Sequence, residues 1–293
     1  MNHDVAIIGA GPGGVAAAVQ AKRLGLFPVL IDKTGHAGGL SRCAFSIENY
    51  PGIPPTSGAE FTRLLESHLD RFGINIHKSS VTWIEKHRKG YRIHMGDESK
   101  TAHAVIVATG TAPKKLTFPG ADWVEYDPLP ALSRQTADAV IIGGGEAALD
   151  YALSLHDAGT KVTIIVRNTH LKAAGRLVDM IRSRGGIDLR LKTLPIRLSK
   201  APDSYTLVVA DDNRSVSLKA GAIIGAIGRR PHLPRFSKGL DEMTSKTVST
   251  PQQGLFVIGD ARRGTLGQAG MAVGDGLDAA ALAAKHLETT KRG

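Results

Sequence analysis

Apolar residues run almost unbroken through 4–9 and stop at a glycine, which predicts a short buried strand. An alanine-rich stretch from about 13 to 24 reads as a helix, and "PVLID" (28–32) as the next strand, completing a βαβ unit. Residues 33–57 are irregular and rich in Gly, Ser and Pro, and a stretch of that length inside a domain usually carries function. It ends at Ser57-Gly-Ala-Glu60, a capping box. Phe61, Leu64, Leu65, Leu69 and Phe72 then recur at helical spacing until Gly73. Strand patterns follow at 74–78, 80–86 and 91–96, and "AVIVATG" (104–110) is a buried strand ending in glycine.

Residues 111–137 carry prolines and no clear period, and read as a linker. A second strand-turn-helix pattern occupies 138–158, continued by "KVTIIV" (161–166) and a helix near 173–184. Strands are expected at 187–192, 205–210, 215–219 and 222–227, then at "GLFVIGD" (254–260), before an Ala/Gly-rich helix over 267–287. Strands alternating with helices predict an α/β protein with two separate doubly wound folds, not a solenoid.

The two strand-turn-helix units carry the chemistry. The first turn is Gly9-x-Gly11-x-x-Gly14. Such glycines make the tight turn, admit a pyrophosphate to the backbone and let helix and strand pack closely, with the pyrophosphate on the helix N-terminus. Asp32 ends the second strand, 23 residues beyond Gly9, where a carboxylate accepts hydrogen bonds from an adenosine ribose. The second turn is Gly143-x-Gly145-x-x-Ala148, and its equivalent strand end carries Arg167, followed by His170 and Lys172. Guanidinium and ammonium groups there attract a 2′-phosphate, although Arg167 and Lys172 also fit as ordinary exposed charges. The first site thus suits FAD or NAD and the second NADP. A flavin and a nicotinamide in one chain have an obvious use, because a hydride can pass between them.

Composition narrows the classes. The chain has 293 residues, enough for two modest domains, with 42% hydrophobic and 22% charged residues. No apolar run is long enough to span a bilayer and the N-terminus lacks a signal-peptide pattern, so a cytoplasmic protein is expected. Cys43 is the single cysteine, which excludes a CxxC redox pair and suits a small buried hydrophobe better than a reactive thiol. The 11 histidines form no ligand spacing, so no metal site is expected. The net charge of +10 attracts acidic partners, but the basic residues are dispersed and accompany no nucleic-acid motif. A solvated basic surface is the default reading of them.

With these pieces placed, the chain resembles the low-molecular-weight thioredoxin reductases and their relatives among flavoproteins with two dinucleotide domains. The likeness runs through "GAGPGG" (9–14), "GG" (38–39), "IENYPG" (47–52), "ATG" (108–110), "GGGEAALDYA" (143–152), "AIGRRP" (226–231), "GLFVIGDA" (254–261) and "QA" (268–269). It implies two Rossmann-like three-layer ββα domains, with FAD on 1–111 and 247–293 and an NADPH domain, 112–246, inserted between them. NADH is the alternative reductant. By the same resemblance Gly110 belongs to the cofactor site, Asp260 holds the flavin ribitol and Asn49 lies near the isoalloxazine. Gln268 and Ala269 would bring backbone N–H groups to the flavin pyrimidine edge, where a helix N-terminus stabilises the charge of reduced flavin. A homodimer is also implied, and the connections at 111–116 and 243–250 would permit domain rotation.

Four departures bear on function. The family's redox dithiol lies between "ATG" and the second glycine turn, where this chain has "GADWVEYDPLPALSRQTADAV" (120–140). Asn168 stands where a second arginine is usual, Gly267 replaces the arginine before "QA", and Leu40 replaces a Gln after "GG". Without the dithiol, the family's usual relay to thioredoxin is excluded and the electron acceptor must be external. Cysteine-free relatives that reduce ferredoxin or flavodoxin with NADPH are the nearest analogy, although they usually have a C-terminal extension beyond the point matching "HLETTKRG" (286–293). A small acceptor (quinone, disulfide or oxygen) and a redox-silent nucleotide sensor are the rival expectations, with RNA binding through the basic surface a further one. No general acid or base is identifiable. Arg262 and Arg263 read as docking cations or as plain loop charges, and Trp123 and Tyr126 as a flavin shield or as linker packing.

Overall fold

The computed structural model describes residues 3–173, 175–211, 214–237, 248–250, 252–264 and 267–292. In chain order the first stretch gives β1 (His3–Ile8), α1 (Pro12–Arg23), β2 (Pro28–Asp32), α2 (Gly58–Arg71), β3 (Ile76–Lys78), β4 (Trp83–His87), β5 (Gly90–Met95), β6 (Glu98–Val107) and β7 (Thr111–Pro113). Then come α3 (Leu129–Ser133), β8 (Asp138–Ile142), α4 (Glu146–Asp157), β9 (Lys161–Ile165), α5 (Gly175–Ser183) and β10 (Ile187–Arg190). β11 (Thr193–Lys200), β12 (Tyr205–Asp211), β13 (Arg214–Ala220), β14 (Ala222–Gly225) and β15 (Arg229–Pro231) follow. The last are β16 (Arg235–Phe236), β17 (Leu255–Val257), α6 (Asp260–Arg263) and α7 (Ala269–Arg292). Two compact units result: Met1–Arg42, Ile47–Ala112 and Arg230–Gly293 form one, and Cys43–Ser46 with Pro113–Arg229 the other.

In the first unit the strand order is β16-β4-β5-β6-β1-β2-β3, with β17 also on β6. β1, β2, β3, β6 and β17 run parallel, which places the ends of β1, β6 and β17 side by side. β4 and β5 add an antiparallel hairpin through Tyr91↔Ala102 to Met95↔Glu98. One face of the sheet packs on the helices through Val15, Ala18, Leu30, Ile106, Ala280 and Leu287. The other face buries Ile8, Ile31, Ile84, Tyr91, Ile93 and Val257. α1 and α7 cross at contact distance because both lack side chains there. A Cβ on Gly13 would lie 2.8 Å from Ala272 O, and one on Gly276 would run into Gly13 O. That crossing fixes the start of α7 relative to the first glycine turn.

The second unit has a parallel sheet, β10-β9-β8-β14, and an antiparallel one, β11-β12-β13. α4 and α5 cover one face of the parallel sheet through Leu149, Leu153, Ile164 and Ile181. Leu198, Leu207 and Val209 of the antiparallel sheet pack on Val140, Ile142 and Ile223 of its other face. This is the three-layer ββα arrangement. Cys43 is buried in the helix-side core beside Phe45, as a small hydrophobe.

Most elements lie within a few residues of the sequence expectation. β7, β11, β15, β16, α3 and α6 do not appear in it. "TLPIRLSK" carries a proline, and the strand accommodates it on the outer edge of its sheet, with a register shift between Pro195 and Arg197. β6 starts earlier than its apolar pattern because Glu98–Thr101 pair with β5. The units divide at 112/113 and 229/230, where the sequence reading placed the boundaries at 111/112 and 246/247. Residues 230–237 join the first unit, in which Arg235–Phe236 extend the sheet from β4. Residues 243–247 of the expected second connection lie outside the described residues.

Candidate functional site

Each glycine of the first turn has its own physical task. Gly9 has φ +105°, and a Cβ there would run into Ala108 O of the neighbouring strand. Gly14 packs on the turn itself, its missing Cβ pointing at Gly9 O. Gly11 differs: a methyl there would meet no described atom within 4 Å, so its face is open to a ligand. Gly11 caps α1, Pro12 follows, and the first turn brings no acidic side chain to the N-terminal N–H groups. Asp32 ends β2 next to this turn. Its Oδ2 accepts the Ala10 N–H at 3.0 Å, and its Oδ1 accepts the Thr34 N–H and Oγ1, both at 2.7 Å. A carboxylate has about four lone-pair sites, so three bonds fix it and one site is left for a ribose hydroxyl. Gly110, with φ +64°, follows β6, and its carbonyl accepts the His232 N–H at 3.0 Å.

The second turn repeats the design. Gly143 has φ +145°, and its missing Cβ points at Ala226 O. Gly145 caps α4, and its nearest would-be contact is Lys172 O at 3.9 Å, leaving that face open. Ala148 is fully buried, where only a small side chain lets the helix approach the strand. Arg167 is exposed just past β9. Lys172 is brought back to the turn by its backbone: its N–H donates to Gly144 O at 2.6 Å, and it bridges Gly145. Both cations therefore stand beside the open face of the second turn or at the end of the adjacent strand.

Asn49 and Gln268, 219 positions apart, meet in the first unit, with Asn49 Nδ2 donating to Gln268 Oε1 at 2.9 Å. Ala269 is the first residue of α7, whose first turn has no acidic residue. Asp260 opens α6 directly after β17, and its carboxylate lies where a Cβ on Gly267 would be. An arginine at 267 would have to displace it, which explains why glycine stands there.

Sequence reasoning missed the residue that fixes this turn. Asp275, 5% exposed, accepts the Gly259 N–H at 3.0 Å, Arg262 Nη2 at 2.8 Å, and Arg263 Nε and Nη2 at 3.0 and 2.8 Å. Burial alone would raise its carboxyl pKa. The hydrogen bonds from Arg263 and Gly259 and the charge of Arg262 outweigh burial and hold it below the usual value. Arg262 and Arg263 are thus structural partners of a buried acid, and Arg262 is only 12% exposed, so a docking role for the pair is not favoured. Tyr126 is likewise packed within the second unit, its hydroxyl accepting the Leu116 N–H at 2.8 Å and its ring lying under Lys115.

A second missed acid, Asp150, lies two positions beyond Ala148. It accepts backbone N–H groups from Phe45, at 2.9 Å, and from Ser46. Burial pushes its carboxyl pKa up to about 6 despite those bonds. The signal in the sequence was only an acid within the mostly apolar run Ala147–Leu155 of that helix.

Residues 3–276 match the family model for pyridine nucleotide-disulphide oxidoreductases. The chain belongs to that family. This family member is 30% identical to the thioredoxin reductase of Chlamydia trachomatis over 98% of this chain and all of that one. It is 27% identical to the 34.2 kDa protein in the rubredoxin operon of Clostridium pasteurianum, over 97% of each. Its structure superposes on Lactococcus lactis thioredoxin reductase with a TM-score of 0.87 at 27% identity, over 98% of this chain and 99% of the other. It is accordingly an NAD(P)H-dependent flavoprotein oxidoreductase, with FAD and NADPH as its cofactors. The two open glycine turns and the one acceptor site left on Asp32 fit those dinucleotides. No described helix is long and apolar enough to cross a membrane.

Proposed function

We propose that this oxidoreductase takes electrons from NADPH and delivers them to an external redox protein of the ferredoxin or flavodoxin type. One observation carries the reading. The only cysteine, Cys43, is buried in the core of the second unit, so the chain has no dithiol of its own to carry electrons onward. FAD, when bound, would supply the redox chemistry between the nicotinamide and the acceptor.

In this reading Gly9, Gly11, Gly14, Asp32 and Gly110 hold the adenosine and pyrophosphate side of FAD. Asp260 holds the ribitol, while Asn49, Gln268 and Ala269 border the isoalloxazine. Their pairing across 219 positions supports that grouping. Gly143, Gly145 and Ala148 seat the nicotinamide dinucleotide, and Arg167 and Lys172 select the 2′-phosphate, which a guanidinium and an ammonium bind well. The division at 112/113 and 229/230 then assigns FAD to the outer segments and NADPH to the inner one. The net charge of +10 favours an acidic carrier by long-range attraction. Similarity to a protein of a rubredoxin operon supports a redox-protein partner. A cytoplasmic homodimer completes the proposal.

Anaerobic titration with NADPH and with NADH, followed by turnover with ferredoxin, flavodoxin, quinone and disulfide acceptors, tests it. The flavin absorption should bleach with NADPH, and carrier reduction should slow as salt rises. Turnover with the protein carriers that is indifferent to salt would refute the docking component. Failure to bleach would replace the enzyme with a nucleotide sensor.

A further inference from the structure

α7 begins at Ala269, and its other half borders a feature that none of the cofactor chemistry uses. A cavity of about 520 Å³, open to solvent, lies between the β4–β5 hairpin and the last turns of α7. Lys86, Arg88 and Lys89 enter it from the hairpin and His286, Thr289 and Thr290 from the helix. His286 is 17 positions beyond Ala269, roughly 25 Å at 1.5 Å per residue, so this cavity is separate from the flavin-side residues.

Its walls are built and one-signed. Lys86 Nζ donates to Tyr91 Oη at 2.9 Å and stands 4.4 Å over the ring, while Tyr91 donates to Gln253 O at 2.6 Å. His286 packs on Gly254, where a Cβ would lie 2.7 Å from its Nε2. The carboxylate of this hairpin, Glu85, pairs with His94 at 3.0 Å and Arg92 at 3.6 Å, and no carboxylate is among the residues lining the cavity. Burial lowers the pKa of Lys86 and of His286, and the charge of Lys86 lowers the latter further. Among the described residues lining the cavity, the charges of Lys86, Arg88 and Lys89 therefore meet no carboxylate. Thr289 and Thr290 already donate their hydroxyl protons to His286 O at 2.8 and 2.7 Å, which leaves recognition to the cations.

We propose that this cavity binds a small phosphorylated anion, with Lys86, Arg88, Lys89 and His286 contacting its phosphoryl oxygens. The volume lies in the range of small-molecule sites, and an arginine fork beside two ammonium groups matches clustered phosphate oxygens.

Pyrophosphate, which has no base or ribose to engage a dinucleotide fold, is the probe. It is titrated by calorimetry into FAD-loaded protein saturated with NADP⁺, and the His286 ring signals are followed by NMR. Saturable binding that shifts His286 is expected. An Arg88→Glu, Lys89→Glu double variant should bind at least tenfold more weakly, with flavin content and bleaching by NADPH unchanged. Absence of saturable binding to the wild type, or equal affinity in the variant, would overturn the proposal. So would tighter binding of a glutamate-rich peptide than of pyrophosphate, which would make the cavity part of a protein-docking surface.

Discussion

Replacing Asp275 by alanine removes one carboxylate and four hydrogen bonds at once, and leaves two guanidinium groups facing an apolar gap. Breaking a buried ion pair by deleting one partner costs about 3–5 kcal/mol. Arg263 is 30% exposed and water will screen part of that loss, so about 3 kcal/mol is the expected figure. Near the melting temperature this corresponds to a fall of about 6 °C for a chain of this size. Asp260 sits in the same turn, between Gly259 and Arg262, so FAD affinity should fall together with stability. Melting of the apoprotein by circular dichroism, and FAD titration by flavin fluorescence, read the two effects separately. The pH dependence follows from the sign of the shift. The folded carboxyl pKa is held below its ordinary value of 3.8, so the stabilisation is present above that value and lost as pH falls through the folded one. Wild type and Asp275→Asn should therefore converge in stability in strong acid. An Asp275→Ala protein that melts within about 1 °C of wild type and keeps its FAD affinity would refute the clamp.

The glycine turns yield a paired test: Gly11→Ala should fold normally yet lose FAD because the methyl occupies the open face, whereas Gly14→Ala should destabilise the apoprotein by clashing with Gly9 O. Apoprotein melting and flavin retention separate the two outcomes. Arg167→Gln and Lys172→Gln should each raise KM for NADPH about tenfold or more, a lost charged hydrogen bond being worth about 1.5–3 kcal/mol, and leave NADH nearly untouched in steady-state assays. Asp150 has the opposite pH signature to Asp275. The unfolded chain releases its proton near 3.8 and the folded one near 6, so stability should fall by about 3 kcal/mol between those values and then level off. Denaturant unfolding of Asp150→Asn across that range should lack this slope.

The two glycine turns were legible because their signal is local. Each packs its glycines against residues one strand away, and the strand-turn-helix sequence dictates that approach. The N-cap half of the capping box behaved in the same way, with Ser57 Oγ accepting the Glu60 N–H at 3.2 Å, while the Glu60 carboxylate pairs with Arg63. β11 was illegible because Pro195 argues against a strand unless an edge position is known in advance. Resemblance placed Asn49 and Gln268 each near the flavin, but the hydrogen bond between their side chains could not be read from the sequence.

The sequence by itself determined which elements form and which chemistry each turn invites, since periodicity, capping and glycine placement act within a few residues. Only the tertiary structure decided what joins them. It showed that Arg262 and Arg263 hold Asp275, that Cys43 and Phe45 enter the core of the second unit, and that the β4–β5 hairpin and α7 border an open basic cavity. These are contacts between segments far apart in the chain, and their energies depend on burial and on partners that no local pattern specifies.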